Sequence, residues 1–276
     1  MQAKLKELSP AKLNLFLKIV SKRNDGYHNI RSGVTMINLF DEVIAKKDKE
    51  FSVKYIGEFS PNHNKFQDCI VEKIFSKLNI DKPNYSFIIK KNIPIMSGLG
   101  SASSNAAAII RILEKLEYKN LRNKNFSKIG SDVPFFIFNH DSLIREIGNV
   151  LIKKSFPKYY FLIIKPHFNC STKMMYNQIN LDQLNFDENF DTDEINETDN
   201  GNDFELTLDD RYVEINNLFI FMKSLPNAIF TRLTGSGSCI FSAFESKKNA
   251  EDSLSIFKER FPLLWSKVVE NNFIHS

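Results

Sequence analysis

Glycine is scarce in this chain, ten among 276 residues, as are cysteine, with three, and tryptophan, with one. Cys69, Cys170 and Cys239 are far apart and show no CxxC spacing, which excludes a disulfide framework and a structural zinc site of the usual ligand spacing. No apolar run reaches the length of a membrane span. The first twenty residues lack the unbroken apolar stretch of a secretory signal, so a cytoplasmic location and no membrane partner are expected. No Walker-type P-loop pattern occurs, and Gly98-Leu99-Gly100 lacks a Gly or Ala at the third position of a dinucleotide fingerprint and sits far from the chain start.

What the chain does hold is ample core material: 42% apolar residues, 25 of the residues being Phe, with an ordinary 25% charged. The length exceeds one typical compact domain, so two lobes are expected, with the cleft between them as the default ligand site. The net charge of +4 hides an asymmetry, because Asp182 to Asp210 carries twelve acids and no Lys or Arg. Against the other 21 acids stand all 37 bases, a field suited to polyphosphate ligands. No interleaved aromatic and basic repeat marks an RNA platform, so no nucleic-acid partner is expected.

Alternating β-rich runs from Leu5 to about Tyr55, broken at Ser21–Gly26 and near Asn38–Asp41, predict antiparallel strands. Apolar spacing predicts helices over Phe66–Leu78, Ser103 to about Leu116, Val213–Leu225 and Lys247–Arg260. Strands are predicted at Tyr85–Lys90, Val133–Phe138, Tyr159–Ile164, Ala228–Leu233 and Cys239–Phe244. The acidic, Asn-rich stretch from about Asn185 to Asp203 reads as a solvated insertion. A lobe boundary near Lys153–Pro157 gives domains of 1–153 and 154–276.

Because glycine is rare, its clusters are informative. Met96, Ser97, Gly98, Leu99, Gly100, Ser101, Ala102, Ser103 and Ser104 form a small-residue loop that opens the Ala-rich helix. Such a loop suits phosphate, through close backbone approach, free N–H groups, hydroxyl donors and the positive end of the helix dipole. It equally suits an ordinary capped helix start. Lys12 and Asn14, two apart on a strand, share a polar face. Asp132, before the aromatic run, can accept a hydroxyl proton or simply end an element. Gly235, Ser236, Gly237 and Ser238 make a turn that lets backbone approach a ligand or close a hairpin.

These four clusters, in this order, resemble the motif set of the GHMP kinases over nearly the whole chain. The stretch Pro10 to Asn14, continued by Lys18, Asp25-Gly26 and Tyr27-His28, is similar to the branch acting on diphosphocytidyl-methylerythritol. The resemblance implies an α+β fold: an N-terminal ATP-binding α/β lobe and a C-terminal α/β sandwich lobe, with a cleft between. It implies that Met96 to Ser104 cradles the phosphates of ATP and that Gly235 to Ser238 is the third motif. Asp132 would be the catalytic carboxylate, with Lys12 beside it and Asn14 in the acceptor site. Tyr27 and His28 would hold cytosine, with Tyr176 stacking on it. Mg²⁺ is expected with ATP, Ser104 being one candidate ligand, and the assembly is expected to be a monomer or weak homodimer. Ser101 and Ala102 stand where the family loop commonly has glycine, and Gly148-Asn149 where it has Gly-Glu. The first departure leans toward homoserine and mevalonate kinases, which keeps those as the alternative, and a catalytically silent sensor of the same fold is a third reading.

Overall fold

The computed structural model describes residues 4–61, 69–118, 121, 124–184 and 201–272. Two compact units make up the chain, Met1–Ala11 with Leu39–Ile95 and Gly100–His140, and Lys12–Asn38 with Met96–Leu99 and Asp141–Ser276. Neither coincides with residues 1–153 or 154–276, because the long strands β1 (Lys4–Lys22) and β2 (His28–Lys47) each pass from one unit into the other.

In the first unit, the C-terminal half of β2 pairs antiparallel with β4 (Tyr85–Lys90), and β4 pairs parallel with β3 (Ser52–Ile56). A parallel pair needs a crossover, supplied by α1 (Ile70–Leu78), which buries Val71, Ile74, Phe75 and Leu78 as one stripe. Asn79, in the left-handed region at φ 49°, ends α1 and donates its N–H to Phe75 O. Helix α2 (Ser101–Lys115) packs Ala106, Ala108, Ile109, Ile110 and Ile112 into the same core as Val43, Phe87 and Ile89. Each fully buried large apolar side chain contributes about 1.5–3 kcal/mol.

The second unit holds the N-terminal half of β2 against β5 (Ser142–Glu146), which forms a hairpin with β6 (Val150–Lys153). Its other sheet is antiparallel in the order β10-β7-β9-β8, from β7 (Tyr160–Lys165), β8 (Phe230–Leu233), β9 (Ile240–Phe244) and β10 (Trp265–Glu270). Phe161 to Ile164 of the inner strand β7 are all buried. Helices α4 (Thr172–Gln178), α5 (Val213–Lys223) and α6 (Lys247–Arg260) belong to this unit, and Leu218, Met222 and Phe257 join Leu162 and Ile164 in its core.

Four sequence expectations are corrected. Val133–Phe138 is a helix, α3, not a strand: Pro134 fits its first turn and Val133, Phe135 and Phe136 form the buried side. No break interrupts β2 at Asn38–Asp41, where both polar side chains have partners in the structure, Asn38 accepting from the Glu270 N–H at 2.8 Å. Helix α2 begins at Ser101, two residues before the predicted start. The acidic stretch does not extend as a solvated insertion to Asp203, since Asn202 and Asp203 are buried. Residues 185–200, like Phe66 at the predicted start of the first helix, lie outside the described residues. Strands β5, β6 and β10 and helix α4 were not signalled by the periodicity.

Candidate active site

Lys12 and Asn14 lie in the buried middle of β1, each 5% exposed. The Lys12 ammonium donates to Asn14 Oδ1. The Asn14 amide donates to Ser32 Oγ at 2.8 Å, and Ser32 in turn donates to Phe16 O at 2.6 Å. Two buried polar side chains on an apolar strand are thus tied into a fixed orientation rather than left to solvent.

The third motif closes on this pair. Asn14 N–H donates to Thr234 Oγ1 at 3.3 Å, and that hydroxyl donates to Gly98 O at 3.2 Å. Lys12 N–H donates to Leu99 O at 3.0 Å and Cys239 N–H to Ser97 O at 3.1 Å. Gly98 has φ +76°, and a Cβ there would sit 2.0 Å from Thr234 O. Only glycine fits where two backbones approach so closely. At Gly235, φ +56°, a Cβ would point at Lys12 Nζ, 3.3 Å away. Ser97 to Leu99, Lys12, Asn14 and Gly235 are therefore brought together, while Met96 is exposed, and Ser236 Oγ is 2.8 Å from Thr172 Oγ1.

His28, which begins β2, stacks on Tyr176 of α4 with ring centroids 4.9 Å apart and 18° between planes. Burial and the nearby Lys22 push the His28 pKa down, favouring the neutral imidazole. Tyr27 is 63% exposed beside them in sequence, its N–H donating to Asp25 Oδ1 at 3.1 Å.

In the first unit, α2 starts from Gly100 at φ +74°, which provides no side-chain cap for the first-turn N–H groups. Ala102 is exposed and Ser103 half-buried, so this turn is open to solvent. The Ser101 hydroxyl is committed to Asp41 Oδ2 at 2.8 Å and accepts from Lys91. Ser104 is fully buried and its hydroxyl accepts from Ser9 at 2.8 Å. The turn that carries Asp132 packs against this helix start, since a Cβ on Gly130 would lie 3.2 Å from Ser103 Oγ. Asp132 itself is half-buried and directly precedes α3.

Residues 65–140 match the GHMP kinases N terminal domain. A protein of Buchnera aphidicola named 4-diphosphocytidyl-2-C-methyl-D-erythritol kinase is 31% identical across 97% of this chain and 96% of its own length. A protein of the same name from Caldicellulosiruptor saccharolyticus is 33% identical across 95% and 96%. The chain belongs to the 4-diphosphocytidyl-2-C-methyl-D-erythritol kinase family. Its fold is the α+β fold of the GHMP kinases: a crystal structure of 4-(cytidine 5'-diphospho)-2C-methyl-D-erythritol kinase superposes with a TM-score of 0.77 at 19% identity, covering 98% of this chain and 100% of that one.

Ser32 and Asn202, which no sequence motif marks, bond to the candidate residues Asn14 and Gly235, and Thr234, at the head of the third motif, bonds to Gly98. Ser32 stands between Arg31 and Gly33 and Asn202 between Gly201 and Asp203, and only the fold brings them to Asn14 and Gly235. Buried Asp41 and Lys91, paired beneath the start of α2, left no sequence signal either. Among the described residues no group of three His, Cys, Asp or Glu side chains is placed to hold a metal ion, and no helix is long and apolar enough to cross a membrane.

Proposed function

We propose that the chain transfers the γ-phosphoryl of ATP, taken up as its magnesium complex, to the 2-hydroxyl of 4-diphosphocytidyl-2-C-methyl-D-erythritol. The hydroxyl oxygen bonds to phosphorus as the bond to the β–γ bridging oxygen breaks, ADP leaves, and the hydroxyl proton passes to Asp132. Lys12 offsets charge that develops in the transition state, and Asn14, held by Ser32, orients the acceptor. The loop from Met96 to Ser104 binds the ATP phosphates through backbone N–H groups at the open start of α2. Tyr27, His28 and Tyr176 receive the cytosine ring. No protein group is assigned to the magnesium ion, because the Ser104 hydroxyl is buried and already bonded to Ser9.

The observation that carries this reading is kinship with kinases of that name along nearly the full chain. In agreement with it, the buried Lys12–Asn14 pair meets the Thr234–Gly235 turn and the Gly98 loop within one unit. The test is ADP release with three acceptors side by side: the cytidine diphosphate-linked methylerythritol, homoserine and mevalonate. Turnover with the first alone is the expected result. Equal or faster release with either of the others would overturn the substrate assignment.

A further inference from the structure

Residues 201–207, which link the acidic stretch to the segment before α5, run across three parts of the second unit. One end is fastened to β1 just beyond Asn14. Leu17 N–H donates to Gly201 O at 3.1 Å, Ile19 N–H donates to Asp203 Oδ2 at 2.7 Å, and Lys18 pairs with the same carboxylate. The middle grips the third motif. Asn202 Nδ2 donates to Leu233 O at 2.9 Å and to Gly235 O at 2.7 Å, while Glu205 Oε1 accepts the Leu233 N–H at 2.9 Å. The other contact is aromatic, a T-shaped pair of Phe204 and Tyr176 with ring centroids 4.8 Å apart, on the ring that stacks with His28.

Asn202, Asp203 and Phe204 are 2%, 3% and 1% exposed, so these bonds are shielded from water. Asn202 spends its amide nitrogen on two carbonyls two residues apart and its oxygen on the Phe204 N–H at 3.0 Å, which fixes its side chain completely. A buried side chain with that pattern of bonds holds the backbone it touches in one geometry.

We infer that this strap is the positioning element of the acceptor side of the site, with Asn202 setting the Thr234–Ser236 turn against Lys12 and Phe204 setting the Tyr176 ring against His28. The inference rests on the function proposed above. Its two contacts carry different kinetic signatures. Asn202 acts on the groups around the transferred phosphoryl, and a displacement of order an ångström in such groups costs on the order of 10²-fold in rate. Phe204 acts on ring placement, which serves binding of the cytidine half and not the chemical step.

The experiment measures kcat and both KM values for Asn202→Ala, Asn202→Asp and Phe204→Leu, with melting curves to show that each variant is folded. Expected for both Asn202 variants is a kcat lower by roughly 10- to 100-fold with either KM moved by less than about threefold, because the aspartate keeps the shape and loses the donors. For Phe204→Leu the KM for the cytidine substrate rises by roughly fivefold or more, while kcat and the KM for ATP hold. Normal kcat in folded Asn202→Ala, or equal rises of both KM values in Phe204→Leu, overturns the strap. A second readout is independent of turnover: in ¹⁵N-resolved spectra Asn202→Ala should move the Gly235 and Ser236 amide signals. A wild-type protein without turnover would sink the function, while unmoved amides would sink the strap.

Discussion

Lys91 carries an ammonium that is 3% exposed, bonded to Asp41, to Ser101 and, at 3.0 Å, to Asn105 Oδ1. Burial pushes its pKa below the ordinary lysine range, and the Asp41 carboxylate opposes that shift. Asp41 is equally occupied, accepting the N–H groups of Asn92 and Ile93 at 2.7 and 2.9 Å, and Asn105 Nδ2 at 3.0 Å. Removing one member of such a pair leaves a buried charge without a partner. Lys91→Met is therefore expected to destabilise the fold by about 3–5 kcal/mol in urea melts, and adding Asp41→Asn should recover much of the loss. A single variant within 1 kcal/mol of wild type would show that solvent reaches the pair. Asp132 makes the contrasting case, half-buried in a turn and bonded through its side chain only to Ser131 Oγ at 3.5 Å among the contacts described. As the proposed base, it predicts for Asp132→Asn a kcat lower by about 10²- to 10⁴-fold with an unchanged melting temperature. Near-normal turnover would remove it from the mechanism. Lys12, Asn14 and Asp132 stand out in the sequence because they fall on stretches that resemble family motifs, and their proposed roles await these measurements. Asp41 and Lys91 do not, since Asp41 beside Glu42 and Lys91 beside Lys90, fifty residues apart, look like surface charges until the fold brings them together.

Among the elements, the strap and β8 share a titrating group in Glu205. Burial pushes its pKa up to about 7, against the opposing effects of the Leu233 N–H and of Arg232 and Lys223. A carboxyl whose folded pKa exceeds its unfolded value near 4.5 binds more protons when folded, so stability falls as pH rises through that interval. The penalty is absent below about pH 4.5 and complete above about pH 7. Glu205→Gln keeps an acceptor for Leu233 N–H without the ionisation. Its melting temperature is expected to match wild type near pH 5 and to exceed it by a margin that grows to about pH 7 and then levels off. A difference that does not change with pH would mean that Glu205 does not titrate in this interval. Elements with strong periodicity were readable beforehand: β4 and α6 fall on their predicted bounds, and β8 and β9 flank the predicted Gly-Ser turn. The run Val133–Phe138 misled because six apolar residues in a row lack a period, and only the position of Pro134 argued for a helix start. Short edge strands such as β6, half exposed and four residues long, carry too little pattern to be found.

At the scale of the whole molecule, charge sets the hardest competing explanation for any binding result. Outside the segment Asp182–Asp210 the chain has 37 bases and 21 acids, so polyphosphates of any kind will be attracted. That attraction is diffuse and falls with ionic strength, the screening length shrinking from about 10 Å at 0.1 M salt to about 3 Å at 1 M. Recognition of a cytosine ring does not depend on salt in this way. A ligand at 100 times its Kd stabilises the native state by about 2.7 kcal/mol. For a chain of this length each kcal/mol is worth about 2–4 °C, which gives CDP a shift of roughly 5–10 °C at saturation. Pyrophosphate at the same concentration should match CDP poorly at 0.1 M salt and fall toward zero at 0.5 M, where most of the CDP shift persists. Tyr176→Ala should then bring the CDP shift down to that of pyrophosphate, because the ring stacked on His28 is gone. Equal shifts for the two ligands at high salt in the wild-type protein would mean that the site binds phosphate and does not read the base.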